Sequence, residues 1–596
     1  MLIGPRIVPL SCSTLGLEKR MVEQQYRRWS FLPIAWWLPR YDMAWLRFDL
    51  VAGLTLAAYA VPVSLAYAGL AGLPPQMGLY CYLLAGLGYM TFGSSRHLAV
   101  GPTSAISLLL GVTLAGLARG EPERQAALAS LTALLMAGVF GLAWLLRLSV
   151  LVNFISESIL TGFKAGAALV IASTQLPKLF GVRGGGDDFF ERVGQLVHQI
   201  SDTNIFTLVI SVAVIIALLL GEYFLPGKPV ALGVVLLALV AASAGQFDQH
   251  GVKVVGELPA GLPQFQLAGI SLGAVGFEEL RQLTRLAFAC FLLAYIESVS
   301  AARTFALKHR YAVEPRQELL GLGAASLLAG LWQGFPVAGG LSQSAVNEKG
   351  GARTTLSLAF ASLIIALVLL FFTGLFRSLP DAVLAGIVLI AVKGLIDLKE
   401  LRYLWHASRI DFGAAAVALV GVLFMGVLDG VIIAVLVSVV MLLGRAAVPH
   451  VAFLGRIPGT DRFSDVTRHP ENEAIPGVVA FRVEASLVYF NVDHVLESVL
   501  DRVRSEPGVR RVVCDLSNTP YVDIAGARML RRLHTELASK LIGFRVVGAH
   551  GDIRDLLRIE RLEDWIGPIN RHVSLAEAAA MCVPTEVTPS QNPLDL

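Results

Sequence analysis

The sequence predicts an all-α polytopic membrane domain followed by a small cytoplasmic α/β domain. Three observations carry this. Apolar runs of membrane-spanning length follow one another from residue 51 to about residue 447. Only 16% of the 596 residues are charged, against about 25% in an ordinary soluble domain, and mean hydropathy is +0.66. After Ala447 short strand-like and helix-like stretches alternate at ordinary polarity.

The same numbers exclude other classes. Five cysteines in so long a chain exclude a disulfide scaffold. A net charge of +3 is too small for a nucleic-acid binder, so no nucleic-acid partner is expected. There is no P-loop, nucleophile elbow or zinc motif, and the eleven histidines show no metal-ligand spacing. No enzyme, catalytic residue, cofactor or metal is read from the chain.

Residues 1–48 form a polar N-terminal region with Arg6, Lys19, Arg20, Arg27, Arg28, Arg40 and Arg47. It lacks the pattern of a signal peptide. Trp36, Trp37 and Trp45 precede the first long run, as in an interfacial belt or an amphipathic helix. Residues 49–447 hold the spans. Clear runs lie near 51–72, 77–93, 124–147, 151–175, 205–225, 229–246, 283–301, 355–376, 382–397, 411–427 and 430–447. Shorter runs near 98–117, 318–333 and 341–347 are interrupted by Gly, Pro and Ser. Together they make fourteen segments, an even number that puts both ends on one side. Arg303, Lys308, His309, Arg310 and Arg316 follow the eighth run, and Lys399, Arg402 and Arg409 follow the twelfth. The loop between the seventh and eighth is poorer in cations. Positive-inside then places the N-terminus and the C-terminal region in the cytoplasm of a multi-pass cell-membrane protein.

Residues 448–469 read as a linker and 470–583 as the soluble domain, with strands at 477–484, 511–516 and 543–547. Helical spacing marks 493–504, 525–540 and 553–559. The tail, 584–596, has Pro and Ser without periodicity and reads as disordered.

An internal repeat is visible. Residues 58–66 (AYAVPVSLA) resemble 294–302 (AYIESVSAA), and Gly101-Pro102-Thr103-Ser104 resembles Gly339-Gly340-Leu341-Ser342. The offsets are about 236 and 238 positions, nearly one register, as in a half-transporter repeat. Seven segments per repeat is odd, so the halves take opposite orientations, a pattern of secondary transporters. The second pair lies in the interrupted segments, where discontinuous helices form midplane sites. Close helix packing by small residues is the competing reading.

Pro102 suits the first turn of a half-helix, whose free N–H groups attract anions. The stretch 336–347, with Ser342, Gln343, Ser344 and Asn347, repeats the idea. Glu297 lies mid-span in an otherwise apolar run, and an intramembrane carboxylate points to function. Beside an anion it can take up a proton or a cation and offset substrate charge; the alternative is an ion pair, with Arg303 for example. Lys164 either faces the cavity and attracts anions, pairs with Glu157, or snorkels to the interface.

These residues resemble the sulfate permease (SulP) family. Val61-Pro62, 64–68 (SLAYA), 70–75 (LAGLPP), 78–80 (GLY) and 92–98 (FGSSRHL) match its signature, followed by Gly101-Pro102, Glu297-Ser298, Ala302-Arg303, Ser342 and 344–347 (SAVN). The resemblance covers about residues 45–580. It implies a seven-plus-seven inverted repeat like that of uracil permeases, with core and gate domains. It also implies uptake of an inorganic anion, sulfate by default, through an elevator-like motion in a homodimer. The coupling ion is a proton or sodium. A sodium-coupled bicarbonate carrier, a proton-coupled dicarboxylate carrier, an anion channel and a membrane-tethered signalling protein are the alternatives. Tyr67, Thr103, Ser104, Glu297 and Ser342 match the family's site positions. Val63 and Gln343 stand where its sulfate carriers often have Gln and Arg, and Lys164 is a possible replacement charge. The soluble region resembles a STAS domain through 481–483 (FRV), 489–491 (YFN) and 521–526 (YVDIAG), but Ala525 lacks the hydroxyl of the phospho-switched relatives.

Overall fold

The computed structural model describes residues 32–118, 120–149, 156–186, 188–225, 229–245, 247–266, 276–569 and 571–580. The tail 584–596, the basic residues before position 32 and the Trp36 side chain lie outside them. Contacts divide the chain between Ser438 and Val439 into two compact units.

The first unit is helical. Its helices are α1 (Leu46–Leu70), α2 (Gln76–Phe92), α3 (Ser104–Leu117), α4 (Pro122–Leu145) and α5 (Glu157–Phe180). Then come α6 (Phe189–His198), α7 (Ile205–Phe224), α8 (Val230–Gly245), α9 (Phe277–His309) and α10 (Pro315–Leu331). The last are α11 (Leu341–Lys349), α12 (Leu356–Phe371), α13 (Asp381–Lys393), α14 (Leu398–Ala407) and α15 (Arg409–Ala447). Among the described residues six helices are long and apolar enough to cross a membrane. The 411–427 and 430–447 runs join in α15, where Gly426 leaves helical geometry at φ 83°. Only glycine takes that conformation without a Cβ penalty.

Local chemistry explains the boundaries. Glu278 and Glu279 lie in the first turn of α9 and Lys308 and His309 in the last, each complementing the helix dipole. That helix therefore runs past the apolar stretch 283–301 at both ends, and Arg303 and Lys308, expected beyond the span, are still helical. The amphipathic α6 and α14 start at capping Asp188 and Asp397. Their polar faces keep them out of any apolar run.

Two buried carboxylates staple the helices together. Asp49 on α1 accepts from Arg353 N at 2.6 Å, Thr354 N at 3.0 Å, Thr354 Oγ1 at 2.7 Å and Tyr41 OH at 3.0 Å. Glu318 on α10 accepts from Ser94 N and Oγ at 2.9 and 2.7 Å and from Tyr89 OH at 2.8 Å. It thereby fixes the 92–97 motif. Without such donors a buried carboxylate carries a large desolvation cost.

Two short strands, β1 (Val100–Gly101) and β2 (Ala338–Gly339), pair antiparallel, Val100 opposite Gly339 and Gly101 opposite Ala338. Each runs into a half-helix, α3 or α11. A Cβ on Gly101 would lie 2.6 Å from the Tyr82 ring, and one on Gly339 2.7 Å from Leu98, so both strands need glycine there.

The second unit holds β3 (Val451–Arg456), β4 (Phe463–Asp465), β5 (Val478–Val483), β6 (Arg511–Asp515) and β7 (Gly543–Val547). The sheet order is β4-β3-β5-β6-β7, with β5, β6 and β7 parallel. Helices α16 (Val492–Ser505), α17 (Ile524–Ala538) and α18 (Gly551–Ile559) alternate with the parallel strands. Phe481, Cys514, Leu530 and Leu533 meet in the core. The stretch expected as a linker, 448–469, instead supplies β3 and β4. Pairing of β3 with β5 and of β4 with β3 engages their backbone groups, although β4 is only three residues long.

Asp523 caps α17. Its Oδ1 accepts from Gly526 N and its Oδ2 from Tyr489 N, both at 2.8 Å. Asp523→Ala is expected to cost about 1–2 kcal/mol, read as a lower thermal midpoint of the full chain. Asp523→Asn keeps an acceptor and should recover most of the loss.

Candidate anion site

The site is built where β1 and β2 end. Thr103, in extended backbone at φ −125°, is the N-cap of α3, and Gly340 is the N-cap of α11. No side chain caps either helix. Their first N–H groups, which have no intrahelical partner, are thus left without a capping side chain as well. Pro102 stands one residue before the cap rather than inside the first turn, because Thr103 takes the extended cap conformation.

Further hydrogen bonds tie the two strand–helix junctions to their surroundings. Ser298 Oγ accepts from Gly339 N at 2.7 Å, next to Glu297 in the chain. Ser344 Oγ accepts from Ala99 N at 3.0 Å and donates to Gly340 O at 2.7 Å. Asn347 Nδ2 donates to His97 O at 3.2 Å.

The residues singled out from the sequence come together around these termini. The Lys164 charge acts on the Glu297 carboxylate, and Thr103 stands near it. Tyr67 lies near Ser104 and in electrostatic range of Tyr59 and Glu297. Ser342 is exposed and lies near Tyr59. Gln343 is buried, with Nε2 donating to Ala338 O at 3.0 Å and Oε1 accepting from Tyr82 OH. Its amide thus braces the β2–α11 junction.

Neither ion pair weighed for the two charges forms. Among the described residues Glu297 has no salt bridge to Arg303, which is exposed, nor Lys164 to Glu157. Glu297 Oε2, Thr103 Oγ1 and Ser107 Oγ are instead buried with no hydrogen-bond partner. Groups left in that state are costly unless a ligand, water or proton meets them.

Tyr59 and Tyr82 were not visible as site residues in the sequence. Tyr59 lies inside the repeated 58–66 stretch, so its place in the repeat was the available signal. Tyr82 carried none, since its role depends on Gly101 letting its ring approach β1. No group of three or more His, Cys, Asp or Glu side chains among the described residues is placed to hold a metal.

Residues 46–418 match the model of the sulfate permease family. The chain belongs to that family. Residues 469–578 match the STAS domain. A probable sulfate transporter of Mycobacterium tuberculosis is 34% identical over 539 residues, covering 90% of this chain and 95% of the relative. The chloroplastic sulfate transporter 4.1 of Arabidopsis thaliana is 29% identical, covering 97% and 87%. This sulfate permease homologue is a multi-pass membrane transporter rather than an enzyme.

Solved structures share the fold. Murine solute carrier 26 family member A9, an anion transporter in the inward-facing state, superposes with TM-score 0.81 at 21% identity, covering 94% of this chain and 96% of that one. The transmembrane domain of the cyanobacterial bicarbonate transporter BicA gives 0.58 at 23% identity, covering 66% and 98%.

Proposed function

We propose that the chain is a secondary active carrier of an inorganic oxyanion, with sulfate as the first candidate. One observation carries the reading. Two uncapped half-helix N-termini converge on buried hydroxyls and a carboxylate oxygen that have no hydrogen-bond partner. Relatives named as sulfate transporters support the substrate class.

Charge counting gives the coupling. Each helix N-terminus acts as about half a positive charge. With Lys164 the site then offers about two positive charges, enough to balance a dianion only when Glu297 is neutralised. A proton on Glu297, or a sodium ion beside it, would bind together with the anion. The proposed motion is elevator-like alternating access of a fourteen-segment inverted repeat. It would take place in a homodimer whose N-terminus and STAS domain are cytoplasmic. The paired β1–β2 strands, at equivalent places of the two repeats, support the repeat.

The test is uptake of labelled sulfate into proteoliposomes, with competition by sulfate, bicarbonate, succinate and chloride. Saturable, gradient-driven uptake blocked best by sulfate is expected. Blockade by bicarbonate but not sulfate would reassign the substrate, and the fold neighbour named as a bicarbonate transporter makes that the second reading. An unsaturable, uncoupled flux would make the protein a channel. Deleting 448–596 should leave transport measurable if the STAS domain is accessory.

A further inference from the structure

A second polar cavity lies at the far end of α5, away from Glu297. Its volume is about 260 Å³. Lys178, Arg183, Arg192 and Lys253 line it, with Asp381 as the one carboxylate among the described lining residues. These cations come from separate places: the last turns of α5, the loop after it, α6, and the chain before α9. A lone cation at a helix C-terminus would be explained by the helix dipole. Lys178, Arg183 and Lys253 meeting at one carboxylate are not, because like charges repel at close range.

The walls are fixed. Asp381 N donates to Lys253 O at 2.9 Å and Val255 N to Leu379 O at 2.9 Å, holding the Lys253 strand against the start of α13. Gln199 clamps Gly184, accepting from its N–H at 3.0 Å and donating to its carbonyl at 3.1 Å. Arg192 Nε donates to Gly186 O at 3.1 Å. Thr207 on α7 adds an independent sign of a ligand. It is only 3% exposed and lines the cavity, and its Oγ1 has no hydrogen-bond partner.

We propose that this cavity is a second binding site for a small oxyanion, separate from the Glu297 cluster. The cations supply the charge, and the Thr207 hydroxyl supplies a short-range donor. Lys178 stands fourteen residues beyond Lys164 on α5, about 21 Å along the helix. The two sites can therefore be filled at once. An ion from solution and the phosphate of an anionic lipid present the same chemistry to these groups.

The test is equilibrium binding of radiolabelled sulfate, and separately phosphate, to the purified full-length protein in nanodiscs of neutral lipid. The site does not depend on sulfate being the transported ion. Two saturable classes are expected in the unchanged protein, and Lys178→Gln with Lys253→Gln should remove one. Thr207→Val, nearly isosteric, should weaken that class about tenfold and guards against misfolding of the charge variants. Lys178→Arg with Lys253→Arg should retain it. Adding anionic lipid decides the source: loss of the class marks lipid phosphate as the occupant, and its persistence marks the free ion. A single class in the unchanged protein, or two classes unaltered in both the Lys→Gln pair and Thr207→Val, would overturn the proposal.

Discussion

Glu297→Gln is expected to abolish the response of uptake to an imposed pH or sodium gradient. Glutamine is neutral at every pH and keeps nearly the same volume. The anion would then always meet the full positive charge of the two helix termini and Lys164, with no proton or cation needed. Gradient-driven uptake should fall at least about tenfold, equivalent to about 1.4 kcal/mol of lost coupling. Exchange of internal for external anion at equal pH should survive. Proteoliposomes assayed in both modes check this. Unchanged gradient-driven uptake would remove Glu297 from the coupling step.

Asp49→Ala is expected to have the largest effect on stability. Four donors converge on this fully buried carboxylate, two of them the backbone N–H groups of Arg353 and Thr354. Alanine would leave the buried Thr354 N–H and hydroxyl without their acceptor. Each buried group so stranded costs about 1–3 kcal/mol, so a total near 3 kcal/mol or more is expected. Thermal unfolding of the full chain measures it. Asp49→Asn keeps one acceptor oxygen and should lose less. A midpoint unchanged by the alanine variant would show that water takes over these donors.

Much of this architecture was legible in the chain because membrane spans advertise themselves. Long apolar runs need no partner to be read, and the helices α1, α2, α4 and α7 fall where the runs lie. The half-helices were legible for the opposite reason: Gly, Pro and Ser interrupt a run that would otherwise continue. Glu297 stood out as a carboxylate in apolar surroundings. What stayed hidden depends on contacts distant in sequence. Asp49 looks like an ordinary polar residue at the edge of a span until the turn before α12 is folded against it. Tyr82 needs Gly101, and β3 needs β5, before either has a recognisable role. Gln343 read as a bare substitution for a cation, yet it is bonded at both ends of its amide.

The β1–β2 pairing has a consequence for energetics. Two residues before each half-helix are paired across the chain, and Ser344 adds a further tie to Ala99. The two half-helices are thereby coupled, and an anion held between them would keep both helix termini as ligands whichever face of the bilayer is open. Its dissociation constant would then be alike on the two sides. Such a carrier would work with like affinity in both directions, and net flux, as in any coupled carrier, would follow the combined gradient of anion and coupling ion.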